Sequence, residues 1–196
     1  MKTGIWRPLL AVMLCFAVGK SHQSLAVMPE VAPVPQALPA EEPFEDVSFG
    51  QRWYDGARYG YRRGLIQGLT ERQFGGELPA TRAMAATMVW RLAGEPAPLG
   101  QSNFIDVPSG WYYTDAVAWG QESGLLLGFG DGAFRPQEPI TGGQLEQILD
   151  RYWGGEEVEA FRGTAFTAPD QGLSRGELAQ TLMERCEERR GNERSW

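Results

Sequence analysis

The sequence predicts an all-α fold of tandem helix–loop–helix units, two complete and a third incomplete. Three observations predict it. The chain matches itself at one fixed offset, the one that sets Phe44 against Phe104. Each copy carries apolar residues at helical spacing behind a hydroxyl residue suited to capping a helix. A glycine-rich loop containing a buried-type phenylalanine separates the two helices of each copy.

The repeat comes first, because a long period decides the architecture. Phe44, Asp46 and Val47 meet Phe104, Asp106 and Val107. Trp53 meets Tyr113, and Gly64, Leu65 and Gly68 meet Gly124, Leu125 and Gly128. Phe74 meets Phe134, Thr81 meets Thr141, Arg91 meets Arg151 and Gly94 meets Gly154. One shift aligns all of them without a net gap.

In the second copy a first helix is expected over Trp111–Ser123, with Ala116, Val117 and Trp119 or Gly120 toward the core. Gly124 ends it as a left-handed cap. The segment from Gly128 to Pro136 forms a tight loop, with Phe134 plugging the core. Thr141 then starts the second helix and forms a capping box with Gln144. Leu145, Ile148, Leu149 and Tyr152 make its apolar stripe. In the first copy Thr81 caps, and Ala85, Met88, Val89 and Leu92 form the stripe.

A third copy is partial. Ser174 and Glu177 make a capping box, and Leu178, Leu182 and Cys186 or Met183 give an apolar face. Ser174 follows Thr141 at little more than half the spacing that separates Thr81 from Thr141. The first helix and loop are therefore shortened or missing between Glu156 and Gly172. Helix-pair repeats bury their faces against neighbours, and the fragment is expected to act as a cap.

The N-terminus reads differently. Lys2 and Arg7 precede an apolar run from Leu9 to Val18, and Ser24-Leu25-Ala26 supplies small residues for cleavage. This is the pattern of a secretory signal peptide over residues 1–26. Residues 27–43 follow as a proline-rich spacer, from Pro29 to Pro43. The units are then expected at 44–95, 104–154 and 155–190. Cleavage after Ala26 leaves the chain from Val27 to Trp196, without His22, without either lysine, and with Cys186 as the sole cysteine. It leaves 15 arginines against 25 acidic side chains, a formal charge of −10. Such a chain is a poor nucleic-acid binder. No internal disulfide is possible, and any anion site is a guanidinium site.

These motifs resemble the S-layer homology family. Its pattern is an F-x-D-V opening, a W-Y helix start with A-V, a G-[IL]-x-x-G turn, a G-x-x-x-F-x-P loop and a T-R-[AG]-[EQ] helix start. The second copy carries Phe104 to Val107, Tyr112-Tyr113, Ala116-Val117, Gly124 to Gly128, Asp131 to Pro136 and Thr141. The first carries Phe44 to Val47, Trp53-Tyr54, Gly64 to Gly68, Phe74 and Thr81-Arg82-Ala83. The resemblance covers Phe44 to Gly154 and the fragment.

The resemblance implies a secreted protein on the bacterial envelope, built as a pseudo-threefold bundle with grooves between units. It implies that the grooves bind an acidic, often pyruvylated, secondary cell-wall polysaccharide through the arginine of the T-R motif. The residues carried over are Thr81 and Arg82, Ser174 and Arg175, and Thr141, whose following arginine is replaced by Gly142. Arg82 and Arg175 fall at the first helical position, where free N–H groups and a guanidinium together suit a carboxylate. The alternative is that they are solvated or paired with nearby acids; the resemblance favours anion binding, for Arg82 in particular. Trp53, Tyr112 and Tyr113 either stack on sugar rings or pack inside, with Trp53 the preferred platform. Asp46 and Asp106 are expected to cap the turn before the first helix, Asp131-Gly132 to form a plain turn, and Glu184 to Arg194 to be a solvated helix end.

No enzyme signature accompanies these motifs: there is no histidine after cleavage and no G-x-S-x-G sequence. No cofactor, metal, nucleic-acid or mature membrane partner is expected. The competing reading is a small envelope interaction protein that binds another protein, or assembles with itself through the incomplete third unit.

Overall fold

The computed structural model describes residues 44–154 and 170–193. The expected signal peptide, the proline spacer and residues 155–169 lie outside the described residues. Among those described there are five helices and no strand: α1 Tyr54–Arg62, α2 Arg82–Leu92, α3 Thr114–Glu122, α4 Gly142–Tyr152 and α5 Arg175–Glu193. The shift that carries Phe44 onto Phe104 also carries the start of α1 onto that of α3, and the start of α2 onto that of α4. The all-α expectation therefore holds.

Helix ends follow the local chemistry. The Thr81 hydroxyl accepts from the Met84 N–H at 3.3 Å. Thr141 and Gln144 form a complete capping box. Ser174 and Glu177 cap each other reciprocally at 2.7 and 3.2 Å. The α3 helix begins at Thr114 rather than at Trp111. The reason is a turn: the Thr114 hydroxyl accepts from Trp111 N–H and donates to the Pro108 carbonyl.

Past α1 and α3 the chain reverses at Gly64 and Gly124, with φ of 68° and 70°. The next two N–H groups both donate to one carbonyl, that of Gly60 in the first copy and Gly120 in the second. A side chain at Gly120 would collide with Leu126, so this turn requires its absence.

Asp46 and Asp106 do not cap the turn beside them. Each reaches forward to the loop that precedes the second helix of its own unit. Asp46 accepts from Phe74 and Gly75 N–H, both at 2.7 Å. Asp106 accepts from Phe134 and Arg135 N–H at 2.8 and 2.7 Å. These charge-assisted bonds pin the loop so that Phe74 and Phe134 are fully buried.

Three extended segments close the bundle. Ala80 N–H donates to the Leu173 carbonyl, Leu173 N–H to Ile140, and Ile140 N–H back to Ala80, at 2.8, 2.9 and 3.0 Å. A second set of three bonds runs round the bundle in the opposite sense: Arg175 N–H donates to Leu78, Gly142 N–H to Gln171 and Arg82 N–H to Glu138. This cyclic bonding is a pseudo-threefold arrangement, with α2, α4 and α5 starting just outside it. Each first helix packs on the second helix of the preceding unit, α3 on α2 and α1 on α5.

The α5 helix corrects one expectation. Its last turns are not simply a solvated end. Arg185 is 7% exposed and pairs with Glu146 at 3.1 Å and with Asp150. Arg189 donates to the Trp153 carbonyl. These contacts join α5 to α4. Cys186 is buried against the core, and burial raises its thiol pKa.

Candidate functional site

Arg175 enters the structure as the first residue of α5, on an N–H already bonded to the Leu78 carbonyl. Its side chain crosses to the first unit. Nε donates to the Phe74 carbonyl at 3.2 Å and Nη2 to the Gln67 carbonyl at 2.7 Å. The third arm, Nη1, meets the Met84 thioether at 3.5 Å, a weak acceptor. The residue is 5% exposed and pairs with no carboxylate among the described residues. Burial lowers its pKa from the ordinary value, but a guanidinium stays charged at neutral pH.

This cation borders a pocket of about 220 Å³. One wall is the face of α2 that carries Met84, Thr87, Met88 and Arg91. A second wall is the turn from Leu65 to Gly68, and Tyr112 of the second unit stands at the rim. The pocket therefore draws on all three units. Arg91 is held there by donating to the Leu65 carbonyl at 3.3 Å. Burial raises the Tyr112 phenol above its usual range, partly offset by a hydrogen bond with Thr81. The arrangement offers two guanidinium groups and a phenol around an apolar floor. It suits a ligand with an acid group and a small apolar substituent.

Arg82 repeats the staple one unit along. Nε donates to the Phe134 carbonyl at 2.8 Å and Nη2 to the Leu127 carbonyl at 3.1 Å. Phe134 and Leu127 are the repeat counterparts of Phe74 and Gln67. At the third seam the equivalent position is Gly142, which has no side chain to reach across.

Of the residues nominated from sequence, Arg175 lines the pocket. Thr81, Thr141 and Ser174 spend their hydroxyls on helix caps. Trp53 is a core side chain, 1% exposed, with its indole N–H donating to Glu77 at 2.9 Å. Side chains added at Gly76 or Gly176 would strike its ring, so both glycines pack against it. Tyr113 is likewise buried, whereas Tyr112 is 54% exposed. Sequence reasoning does not nominate Arg91. Its signals are the aligned pair Arg91–Arg151 and its place one turn beyond Met88 on α2. Among the described residues no cluster of His, Cys, Asp or Glu is placed to hold a metal ion.

Residues 103–146 match the S-layer homology domain. The chain is 28% identical over 142 residues to a cell surface protein of Thermoanaerobacter kivui, covering 70% of this chain and 19% of that protein. It is 30% identical over 89 residues to an amylopullulanase of Thermoanaerobacterium thermosulfurigenes, covering 45% of this chain and 5% of the enzyme. It is 31% identical over 85 residues to endo-1,4-beta-xylanase A of Thermoanaerobacterium saccharolyticum, covering 43% and 7%. The chain thus spans less than a fifth of the length of each of these relatives.

Proposed function

We propose that this chain, whose residues 103–146 match the S-layer homology domain, is a secreted, non-enzymatic protein held on the bacterial cell surface. It binds an acidic, pyruvylated secondary cell-wall polysaccharide non-covalently. The Arg175 pocket carries the reading: a buried cation with one donor arm left to a thioether, beside an apolar floor and an exposed tyrosine. A ketal-linked carboxylate with its methyl group matches that combination. Arg175 holds the carboxylate, Arg91 adds charge, and Tyr112 covers the sugar ring.

The similarities support this. Two relatives are enzymes with different names, and each matches over a small fraction of its length. A match that small, common to enzymes of different activity, fits a carried module rather than a catalytic domain. Residues 27–43 serve as the spacer behind the signal peptide.

The test is sedimentation of the mature chain with purified sacculi, before and after their polysaccharide is extracted. Co-sedimentation that disappears with the polysaccharide is expected. Protein that stays in the supernatant in both cases sinks the anchoring role. One observation favours a second reading: Gly142 leaves the third seam without an arginine at the T-R position. On that reading the chain assembles with itself or with another envelope protein through the incomplete third unit. Light scattering of the soluble chain then reports a dimer or larger species.

A further inference from the structure

The two stapled arginines are equally buried, 6% exposed for Arg82 and 5% for Arg175. They grip corresponding carbonyls. They differ in what lies against the guanidinium. Arg175 sits 5.4 Å from the Phe74 ring centroid and otherwise faces Met84 and the pocket. Arg82 sits 4.6 Å from Phe134 and also 4.9 Å from Phe129. The counterpart of Phe129 in the first unit is Leu69. Leu69 does not line the Arg175 pocket; it lies beside Gly75, where an added side chain would meet both Leu69 and Leu78.

Phe129 is held in place. Its N–H donates to the Ala133 carbonyl at 2.8 Å, and its carbonyl accepts from Gly132 at 3.0 Å. Arg135, which replaces Gly75, lies 4.0 Å from its ring centroid. The ring thus faces two guanidinium groups, and its negative face supplies to Arg82 what an acidic ligand would otherwise supply.

We propose that Phe129 is a built-in plug that occupies the ligand position at Arg82, so that the chain takes acidic glycan at a single site, the Arg175 pocket. This rests on the glycan-binding reading of that pocket and adds the stoichiometry and the residue that sets it.

The experiment is calorimetry on the full mature chain, with nuclear magnetic resonance to locate the sites. The probe is the methyl glycoside of a hexosamine bearing a 4,6-linked pyruvate ketal. Wild type should bind one equivalent, with shifts confined to Leu65–Gly68 and the α2 face around Thr87 and Arg91. Phe129→Ala should bind two, adding shifts at Leu125–Gly128 and at the Arg82 side-chain N–H. Phe129→Leu, which restores the residue of the first unit, should do the same and guards against misfolding of the alanine variant. One equivalent in both variants overturns the plug and leaves the glycan reading intact. Two equivalents in wild type, or one located at Arg82, also overturn it. No binding by wild type defeats the glycan reading and the plug together.

Discussion

Two of the three seams in this bundle are stapled by an arginine at the first position of a second helix, whereas at the third that position is a glycine and the arginines that cross, Arg185 and Arg189, come from further along α5. Arg82 and Arg175 each reach across to two backbone carbonyls of the next unit. Gly142, at the same position, has no side chain to send. The carbonyls that receive an arginine belong to the first-helix turn and the loop of the following unit. A guanidinium buried at a seam without acceptors would destabilise it. The T-R arginine is thus first a seam residue where it occurs. Binding at Arg175 builds on that structural role.

Removing a staple tests this most severely. Arg175→Ala leaves the Phe74 and Gln67 carbonyls without their donors, and Arg82→Ala does the same to Phe134 and Leu127. Each should cost about 3 kcal/mol in chemical denaturation. Lysine should not rescue either, because one ammonium cannot span two carbonyls as a planar fork does. The two variants part in function: at temperatures where both are folded, only Arg175→Ala should lose co-sedimentation with sacculi. Equal loss would mean that both seams bind.

A smaller effect probes how each seam is fitted. Gly176 lies against Trp53, whereas at the other stapled seam Ala83 and Tyr113 hold the corresponding positions. The large ring is matched by a glycine and the smaller ring by an alanine. Gly176→Ala should cost about 2 kcal/mol through overpacking. Adding Trp53→Tyr should recover part of that loss, measured as a coupling energy in a double-mutant cycle. Strict additivity would mean that the two seams were not fitted in pairs.

What is legible in the sequence is local or periodic. The caps at Thr81, Thr141 and Ser174 depend on residues three positions away. The stripes of α2 and α4 repeat at helical spacing. Gly64 and Gly124 mark their own turns. The rest requires distance. Arg175 finds its acceptors 101 and 108 positions away along the chain. For Asp46 and Asp106 the nearest use is the neighbouring turn, yet their partners lie 28 and 29 positions on. Trp53 resembles a sugar platform in sequence because nothing in its neighbourhood shows Gly76 and Gly176 closing on it. The charged end of α5 hides Arg185, whose partners Glu146 and Asp150 come from α4.

Those aspartates give the next prediction. Asp106 is half-buried and Asp46 is exposed. Two charge-assisted bonds are lost in either alanine variant, but water replaces them more readily at Asp46. Asp106→Ala should cost about 1.5 kcal/mol and Asp46→Ala about 1 kcal/mol, read from denaturant midpoints. Hydrogen exchange at the Phe74 and Phe134 amides should rise in the respective variant only. Exchange that rises in both loops would mean that the units open together.

The smallest effect sits where the two loops diverge. Arg135 holds a left-handed φ of 60°, while Gly75 in the first unit holds 72° at the corresponding position. An arginine is strained there and a glycine is not. Arg135 offsets the strain through its exposed pairs with Asp131 and Glu138 and its contact with Phe129. Arg135→Gly removes the strain and the contacts together, so the melting temperature should not move measurably. The Phe129 ring should nevertheless lose one of its two guanidinium partners. Its aromatic resonances should broaden or shift while those of Phe74 stay fixed. A clear fall in melting temperature would show instead that the arginine holds the loop of the second unit in a way that glycine in the first does not need.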